Sequence, residues 1–122
     1  MQTRFLFWAA IAGGSGVGLG AFGAHGLKSA LSAYELEIYK TAVDYQMWHA
    51  LLLGLIGSLP PRRQLLWAGW ALLAGIVLFS GSLYLLAILK IRWLGVITPF
   101  GGTAFLAAWG LLAYAAYRRS EE

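Results

Sequence analysis

The first pattern in the chain that is typical of chemistry is a glycine fingerprint. The stretch Gly18-Leu19-Gly20-Ala21-Phe22-Gly23 fits G-x-G-x-x-G, and Asp44 follows about twenty residues later, where a ribose-binding acid is expected. In a dinucleotide-binding fold, a strand precedes these glycines and a helix opens at them. Here the glycines lie inside one long uncharged run, so we predict no nucleotide binding.

Histidine, aspartate and serine offer the other candidates for chemistry. His25, Asp44 and His49 are residue types of a metal site or a proton relay, but a spacing of five places Asp44 and His49 about 140° apart around a helix. The chain has no H-E-x-x-H motif, no G-x-S-x-G motif and no cysteine. The sequence therefore predicts no catalytic residue, no metal site and no cofactor.

Several polar residues nevertheless fall at a similar depth in apolar segments. Gln46 and His49 are three residues apart, and Ser80 and Tyr84 are four apart, so each pair shares a helix face. Polar groups in a membrane usually face the interior of a bundle. We predict a candidate ligand-binding cluster that contains His25, Tyr45, Gln46, His49, Ser80, Ser82, Tyr84 and Thr98. Two interpretations stay open: hydrogen bonds that hold helices together, or a pocket for a small polar ligand, a lipid head group or an ion.

The composition indicates that these residues lie in a membrane protein. Hydrophobic residues make up 60% of the 122 residues and charged residues only 11%, whereas a soluble domain carries roughly 25% charged residues. Four segments approach or exceed the length that crosses a hydrocarbon core of about 30 Å, at residues 5–24, 42–59, 65–89 and 97–117. The sequence predicts one all-α domain over 1–122, an integral membrane bundle of four transmembrane helices.

The second span begins as an amphipathic segment. Residues 27–41 carry several charges and are predicted to lie at the membrane interface. Ser32 and Glu35 fit a capping box, which predicts a single helix from about 33 to 59. Pro60 and Pro61 end that helix, and Thr98 and Pro99 indicate the start of the last one.

The positive charges predict the orientation. With four spans, the two termini and the 60–64 loop share a side that holds five basic residues, against four on the other side. The positive-inside rule then places both termini in the cytoplasm, in a bacterial inner (plasma) membrane. Basic residues at the ends of apolar runs do not form a nucleic-acid-binding stripe, so we expect no nucleic-acid partner.

The glycines of the first span are predicted to pack helices together. Gly14 and Gly18 are four residues apart, as are Gly16 and Gly20, and Gly23 shares the face of the latter pair. Small residues at this spacing let two membrane helices approach closely. We therefore assign a packing role to Gly14, Gly16, Gly18, Gly20 and Gly23.

Four ordered segments resemble a known family. They are GAFGAHGLK (20–28), TAVDYQMWHALLL (41–53), GIVLFSGSLYLLAI (75–88) and LGVITPFGGTAFLAAW (94–109). Together they resemble the domain-of-unknown-function 423 family, whose eukaryotic relatives include transmembrane protein 256. The resemblance covers nearly the whole chain and implies a small four-helix membrane protein with no established activity. Its pattern falls on Gly23, His25, Tyr45, Gln46, His49, Ser80, Gly81, Ser82, Tyr84, Thr98, Pro99, Gly101 and Gly102.

Two positions bear on how far the resemblance extends. The family implies a variable residue at Asp44, and a small or polar residue where this chain has Lys90. The polar cluster belongs to the family pattern, whereas an acid-dependent mechanism does not.

Hypotheses of three classes follow, of which the third, a membrane enzyme, finds no catalytic motif in the sequence. The first is a non-enzymatic membrane protein of unknown biochemical function that acts through membrane lipid, a partner or self-association as a homo-oligomer. The alternative is a binding or transport module for a small polar solute or a proton, which would use the polar cluster in the outer half of the bundle.

Overall fold

A computed structural model describes residues 2–120, which form helices and short connections without a strand. The helices are α1 (Thr3–His25), α2 (Ala33–Ser58), α3 (Arg63–Gly75), a π-helix (Ile76–Ser80), α4 (Gly81–Leu89), a 3-10 helix (Arg92–Val96) and α5 (Thr98–Ser120). Because α3, the π-helix and α4 follow one another without a break, they form one long rod. The described chain is thus all-α, as predicted, with four long helical rods.

Local signals set the ends of α2. Glu35 donates its backbone N–H to Ser32 Oγ at 3.1 Å, and Ser32 donates its own to Glu35 Oε1 at 2.9 Å. This capping box satisfies two N–H groups that the helix start leaves without a partner. The helix ends at Ser58, before Leu59 and two prolines. The predicted helix from about 33 to 59 is therefore confirmed.

Three of the four rods are long and apolar enough to cross a membrane: Thr3–His25, Arg63–Leu89 and Arg92–Ser120. The helix α2 does not meet this condition, because charged residues, Gln46 and His49 make much of it polar. The fold shown is therefore a helical membrane protein with three candidate spans in its described residues, one fewer than the sequence predicts.

The helices α1 and α2 pack antiparallel along their whole length. A Cβ atom added to a glycine of either helix would touch the other helix at successive heights. The pairs are Gly23 with Tyr39, Gly20 with Val43, Gly16 with Met47, Gly54 with Ala9, and Gly57 with Leu6 and Gln2. The glycines therefore allow this pair of helices to lie close together.

The rod from α3 to α4 packs antiparallel against α5 in the same way. The contacting pairs are Arg62 with Ala115, Gly75 with Phe105, Phe79 with Gly101, and Ser82 with Thr98. One end of the bundle, the terminal end, thus holds residue 2, residues 59–62 and the end of α5. The other, the turn end, holds residues 26–32 and 90–97.

The apolar core lies toward the terminal end. Phe5, Leu53, Ile56 and Leu72 are completely or almost completely buried and belong to one cluster. Because lipid is as apolar as these side chains, close packing and dispersion stabilise the cluster rather than removal from water. Of the buried polar side chains, Gln46 and His49 lie near the middle of the bundle, and Ser80 and Ser82 lie nearer the turn end.

Lys90 ends α4 in an unusual backbone conformation. Its φ of 58° and ψ of 34° are left-handed, and it is the one non-glycine residue with positive φ in residues 2–120. Its Nζ lies 2.7 Å from Glu35 Oε1, so the ion pair joins the end of α4 to the capping box of α2. Glycine usually occupies such a helix end, because it has no Cβ to clash.

Candidate functional site

Gln46 lies at the centre of the polar cluster. Its Nε2 donates to the backbone oxygen of Ala12 at 2.8 Å and to Ser15 Oγ at 2.9 Å. Its Oε1 accepts from the Tyr84 hydroxyl at 2.7 Å. One amide side chain therefore links α1, α2 and α4, and both of its amide atoms have partners.

Ser80 is the last residue of the π-helix and is almost fully buried. Its Oγ donates to the backbone oxygen of Ala42 at 2.7 Å. Short π-helical segments inside α-helices are rare and frequent at functional sites. Here the segment places a serine hydroxyl against the backbone of α2, which ties the two rods together.

Ser82 lies on another side of its rod and connects it to α5. Its Oγ is 2.6 Å from Thr98 Oγ1 and donates to the backbone oxygen of Phe79 at 2.9 Å. The Thr98 hydroxyl also has a backbone acceptor, the oxygen of Leu94 at 3.5 Å, so either hydroxyl can be the donor in the bond between them. This pair closes the contact between α4 and the start of α5.

His49 is held by three neighbours. Trp109 donates its indole N–H to His49 Nε2 at 3.1 Å, and His49 Nδ1 lies 2.7 Å from the backbone oxygen of Tyr45. Since an indole nitrogen can only donate, Nε2 is the acceptor, and the proton of a neutral ring resides on Nδ1. The ring also stacks on Phe105, with centroids 3.6 Å apart and planes at 9°. His49 is therefore fixed as a neutral ring.

Tyr45 and His25 differ in their relation to this cluster. The ring of Tyr45 lies 4.5 Å from that of Phe79, and its backbone oxygen is the acceptor for His49. His25 is exposed at the end of α1, and no hydrogen bond or ring contact joins it to a cluster residue in the described chain. The structure thus places seven of the eight predicted residues in contacts between helices, as separate groups: Gln46 with Tyr84, His49 with Tyr45, Ser82 with Thr98, and Ser80 with the backbone of α2. His25 stays outside these groups.

Hydrogen bonds satisfy the buried polar groups of the cluster. Among residues 2–120, every buried side-chain nitrogen or oxygen has a hydrogen-bond partner. Within the same residues, His, Asp and Glu form no group of three that would hold a metal ion. The arrangement can therefore join helices, but it presents no unpaired buried donor or acceptor to a ligand.

An apolar groove of about 820 Å³ opens beside His49, between α2 and α5. Trp48, Phe79, Phe105 and Trp109 line it, together with smaller residues of α5. Trp109 already occupies Nε2 of His49, so the groove presents mainly aromatic faces, with the hydroxyl-bearing residues Tyr45 and Thr103 also in its lining.

The glycines of α1 divide between two faces. Gly16, Gly20 and Gly23 face α2, as predicted. A Cβ on Gly14 or Gly18 would meet nothing within 4 Å. The assignment of these last two to packing within the chain is wrong, because they lie on the opposite face of the helix, away from α2.

Three residues of the hydrogen-bond network are absent from the sequence-based prediction. Ser15 lies among glycines at a position whose face becomes clear only when α1 meets Gln46. The sequence predicts Trp109 as an aromatic residue at the membrane interface, yet its indole N–H donates to His49 inside the bundle. Tyr39, in the charged segment, donates its hydroxyl to the backbone oxygen of Leu19 at 2.6 Å. Tyr39 is seven residues before Gln46, which places both on one face of α2, and this spacing is the available signal.

Comparisons with known proteins agree on one family. A family model described as "Protein of unknown function (DUF423)" matches residues 19–102. The UPF0382 membrane protein SH2409 of Staphylococcus haemolyticus is 45% identical over 116 residues, which cover 93% of this chain and 95% of the relative. The UPF0382 inner membrane protein YgdD of Escherichia coli is 45% identical over 123 residues, covering 97% and 93%. No solved structure shows a significant match.

A third relative extends the similarity to another genus. The UPF0382 membrane protein YwdK of Bacillus subtilis is 44% identical over 118 residues, which cover 93% of this chain and 96% of the relative. The segment matched by the family model contains Gln46, His49, Ser80 and Tyr84, although Ser15 and Trp109 lie outside it. The chain therefore belongs to the DUF423 family of membrane proteins, whose function is unknown.

Proposed function

We propose that the protein is a non-enzymatic, four-span membrane bundle that acts through its exterior, by contact with lipid, a partner or a second copy. The observation that carries this proposal is the closed interior, in which every buried polar side-chain atom of the described residues is already paired. A path for a solute or a proton needs polar groups that can exchange partners, as in the relays of pumps and transporters.

The packing of α2 supports the fourth span. The contacts from Tyr39 to Gly57 follow α1 along nearly its entire length, and α1 is itself a candidate span. A helix paired in this way crosses the membrane whenever its neighbour does. The two uncharged polar residues in the middle of α2 are directed inward, since Gln46 and His49 both bond within the bundle.

The transport alternative rests on His49 and the groove beside it. The test is proton flux in proteoliposomes loaded with a pH-sensitive dye, for the parent chain and for His49→Leu. We expect the flux of both to equal that of protein-free vesicles. A flux that the parent shows and His49→Leu lacks, with folding preserved by circular dichroism, would overturn the proposal.

A second measurement separates a structural from a working role of His49. A double-mutant cycle with His49→Leu and Trp109→Phe isolates the coupling energy of the pair. For helix-joining hydrogen bonds in a membrane we expect about 0.6 kcal/mol. Cross-linking in native membranes, repeated with Gly14→Leu and Gly18→Leu, tests self-association, because these glycines face away from α2 and leave room for a helix of a second copy.

A further inference from the structure

A charged groove lies between α1 and α2 at the turn end of the bundle. It encloses about 360 Å³. Gly20, Gly23 and Val43 line its apolar part, and its charged part is formed by Lys28, Lys40 and Asp44. This groove is distinct from the hydrogen-bond network of Gln46 and from the aromatic groove beside His49.

The two lysines of this groove are exposed and make no ion pair with any residue of the described chain. Lys90, on the same end of the bundle, instead contacts Glu35 at 2.7 Å. Asp44 is also exposed and without an ion pair in residues 2–120. Two ammonium groups and one carboxylate give the groove a net charge of +1 by this count.

The remaining lining residues give the groove a dry floor. Gly20 and Gly23 carry no side chain, so Val43 and the ring of Tyr39 pack directly onto the backbone of α1 and form an apolar wall of the groove. The one hydroxyl nearby, that of Tyr39, is already bonded to the Leu19 backbone oxygen. Apolar space below and two unpaired ammonium groups above match the order of groups in a membrane phospholipid.

We propose that this groove binds one phospholipid of net charge −1, of the phosphatidylglycerol type. Its phosphate lies between the ammonium groups of Lys28 and Lys40, and an acyl chain lies against Gly20 and Val43. The charges balance, because the groove carries +1 and the lipid carries −1. A zwitterionic lipid brings no net charge and is bound more weakly. The proposal rests on the lipid-facing function above and names the class of lipid.

The test uses the full chain in nanodiscs of equal phosphatidylglycerol and phosphatidylcholine, followed by native mass spectrometry of the lipid that stays bound. We expect one phosphatidylglycerol per chain, in preference to phosphatidylcholine. Lys28→Gln and Lys40→Gln should each lower that preference about fivefold, the effect of one basic residue near a lipid surface. Asp44→Asn should raise it, because the groove then carries +2.

Lys90→Gln is the matched control, since it removes a lysine from the same end without touching the groove. Equal retention of the two lipids would overturn the proposal. So would an equal loss in Lys90→Gln, which would indicate surface charge alone. Displacement by inorganic phosphate would show that the acyl chain contributes nothing, and a lipid-free dimer would assign the groove to a second copy.

The two proposals fail separately. Proton flux that depends on His49 would overturn the exterior-acting bundle, whatever lipid is bound. Loss of the phosphatidylglycerol preference with no flux would overturn only the lipid assignment. Because Lys28 and Lys40 are exposed, their variants should unfold like the parent, and a thermal melt of each confirms that the fold is kept.

Discussion

At the residue scale, Lys90 combines an unfavourable backbone with a favourable ion pair. A non-glycine residue in the left-handed region costs about 1–2 kcal/mol, whereas an exposed ion pair contributes about 0.2–1 kcal/mol. The side chain of Lys90 is 58% exposed, so its pair with Glu35 belongs to the weak class. The cost of the left-handed backbone therefore exceeds the stabilisation that the ion pair contributes.

Two substitutions at this position separate the backbone strain from the ion pair. Lys90→Gln removes the ion pair and keeps the left-handed backbone strained, while Lys90→Gly removes the pair and relieves the strain. We expect Lys90→Gly to unfold with a free energy about 1 kcal/mol higher than Lys90→Gln. Unfolding by denaturant in detergent measures both. Equal values would show that the backbone at residue 90 is not strained.

The same ion pair predicts a pH dependence. The hydrogen bond from the Lys90 ammonium, and then that from the Ser32 backbone, hold the pKa of Glu35 below its usual 4.5. Because the folded pKa is the lower one, this contribution to stability is complete above pH 4.5 and is lost as pH falls through the folded value.

We therefore expect Glu35→Gln to flatten part of the fall in melting temperature between neutral pH and about pH 3. Glutamine can still complete the capping box with Ser32, so the helix start is kept. Glu37→Gln, two residues further along α2, is the control and should retain the full fall. An unchanged profile in Glu35→Gln would contradict the prediction.

At the element scale, the π-helix and α5 approach closely enough to bring backbone against a glycine. A Cβ on Gly101 would clash with the backbone nitrogen of Phe79 and would lie 2.7 Å from its Cα. Because backbone cannot rotate away as a side chain can, the helices would have to separate. On Gly102, the nearest atoms of Phe79 are 3.8 Å from the added Cβ, which is an ordinary contact.

This difference predicts opposite outcomes for two adjacent positions. Gly101→Ala should lower the free energy of unfolding by about 1–3 kcal/mol through overpacking. Gly102→Ala should be neutral or stabilising, because alanine favours a helix over glycine. Thermal unfolding in detergent compares the two variants. Equal losses would mean that the clash at Gly101 does not decide the effect.

The two faces of α1 give a second comparison between elements. Gly16→Leu and Gly20→Leu should each destabilise the bundle by about 1–3 kcal/mol, since their added atoms meet Met47 and Val43. Gly14→Leu and Gly18→Leu should leave unfolding of the monomer unchanged. If all four variants melted alike, the packing of α1 on α2 would be wrong.

The sequence predicts those parts of the fold that depend on local pattern. The capping box of Ser32 and Glu35 fixes the start of α2, and helical spacing gives the face of Gly16 and Gly20. The π-helix at 76–80 and the 3-10 helix at 92–96 have no such signal. Both arise where one rod adjusts its length and direction to its neighbours, which local spacing does not contain.

The candidate site is also predicted only in part, for the same reason. A similar depth in the membrane predicts that Gln46, Ser80 and Tyr84 bond within the bundle, as they do, because each must find a partner away from lipid. Depth alone also places His25 in the cluster. Only the position of the end of α1 shows that the His25 side chain is exposed. The choice of Trp109 as partner of His49 depends on how α5 is rotated, which no spacing in the sequence gives.

At the scale of the whole molecule, the alternating direction of the rods places residue 2 and the end of α5 at one end. Gln2 donates its backbone N–H to the backbone oxygen of Gly57 at 2.8 Å, and Arg62 donates to that of Ala115 at 3.0 Å. The start of α1, the loop after α2 and the end of α5 therefore meet there. The same end carries five of the nine basic residues. From the positive-inside rule we predict that this end faces the cytoplasm.

Single cysteines test this orientation and the fourth span together, because the chain has none of its own. We expect Ser29→Cys, at the turn end, to react with a membrane-impermeant maleimide in intact cells. Ser58→Cys, at the far end of α2, should react only after the membrane is opened. Reaction of both in intact cells would show that α2 does not cross, and reaction of Ser58→Cys alone would place the termini outside.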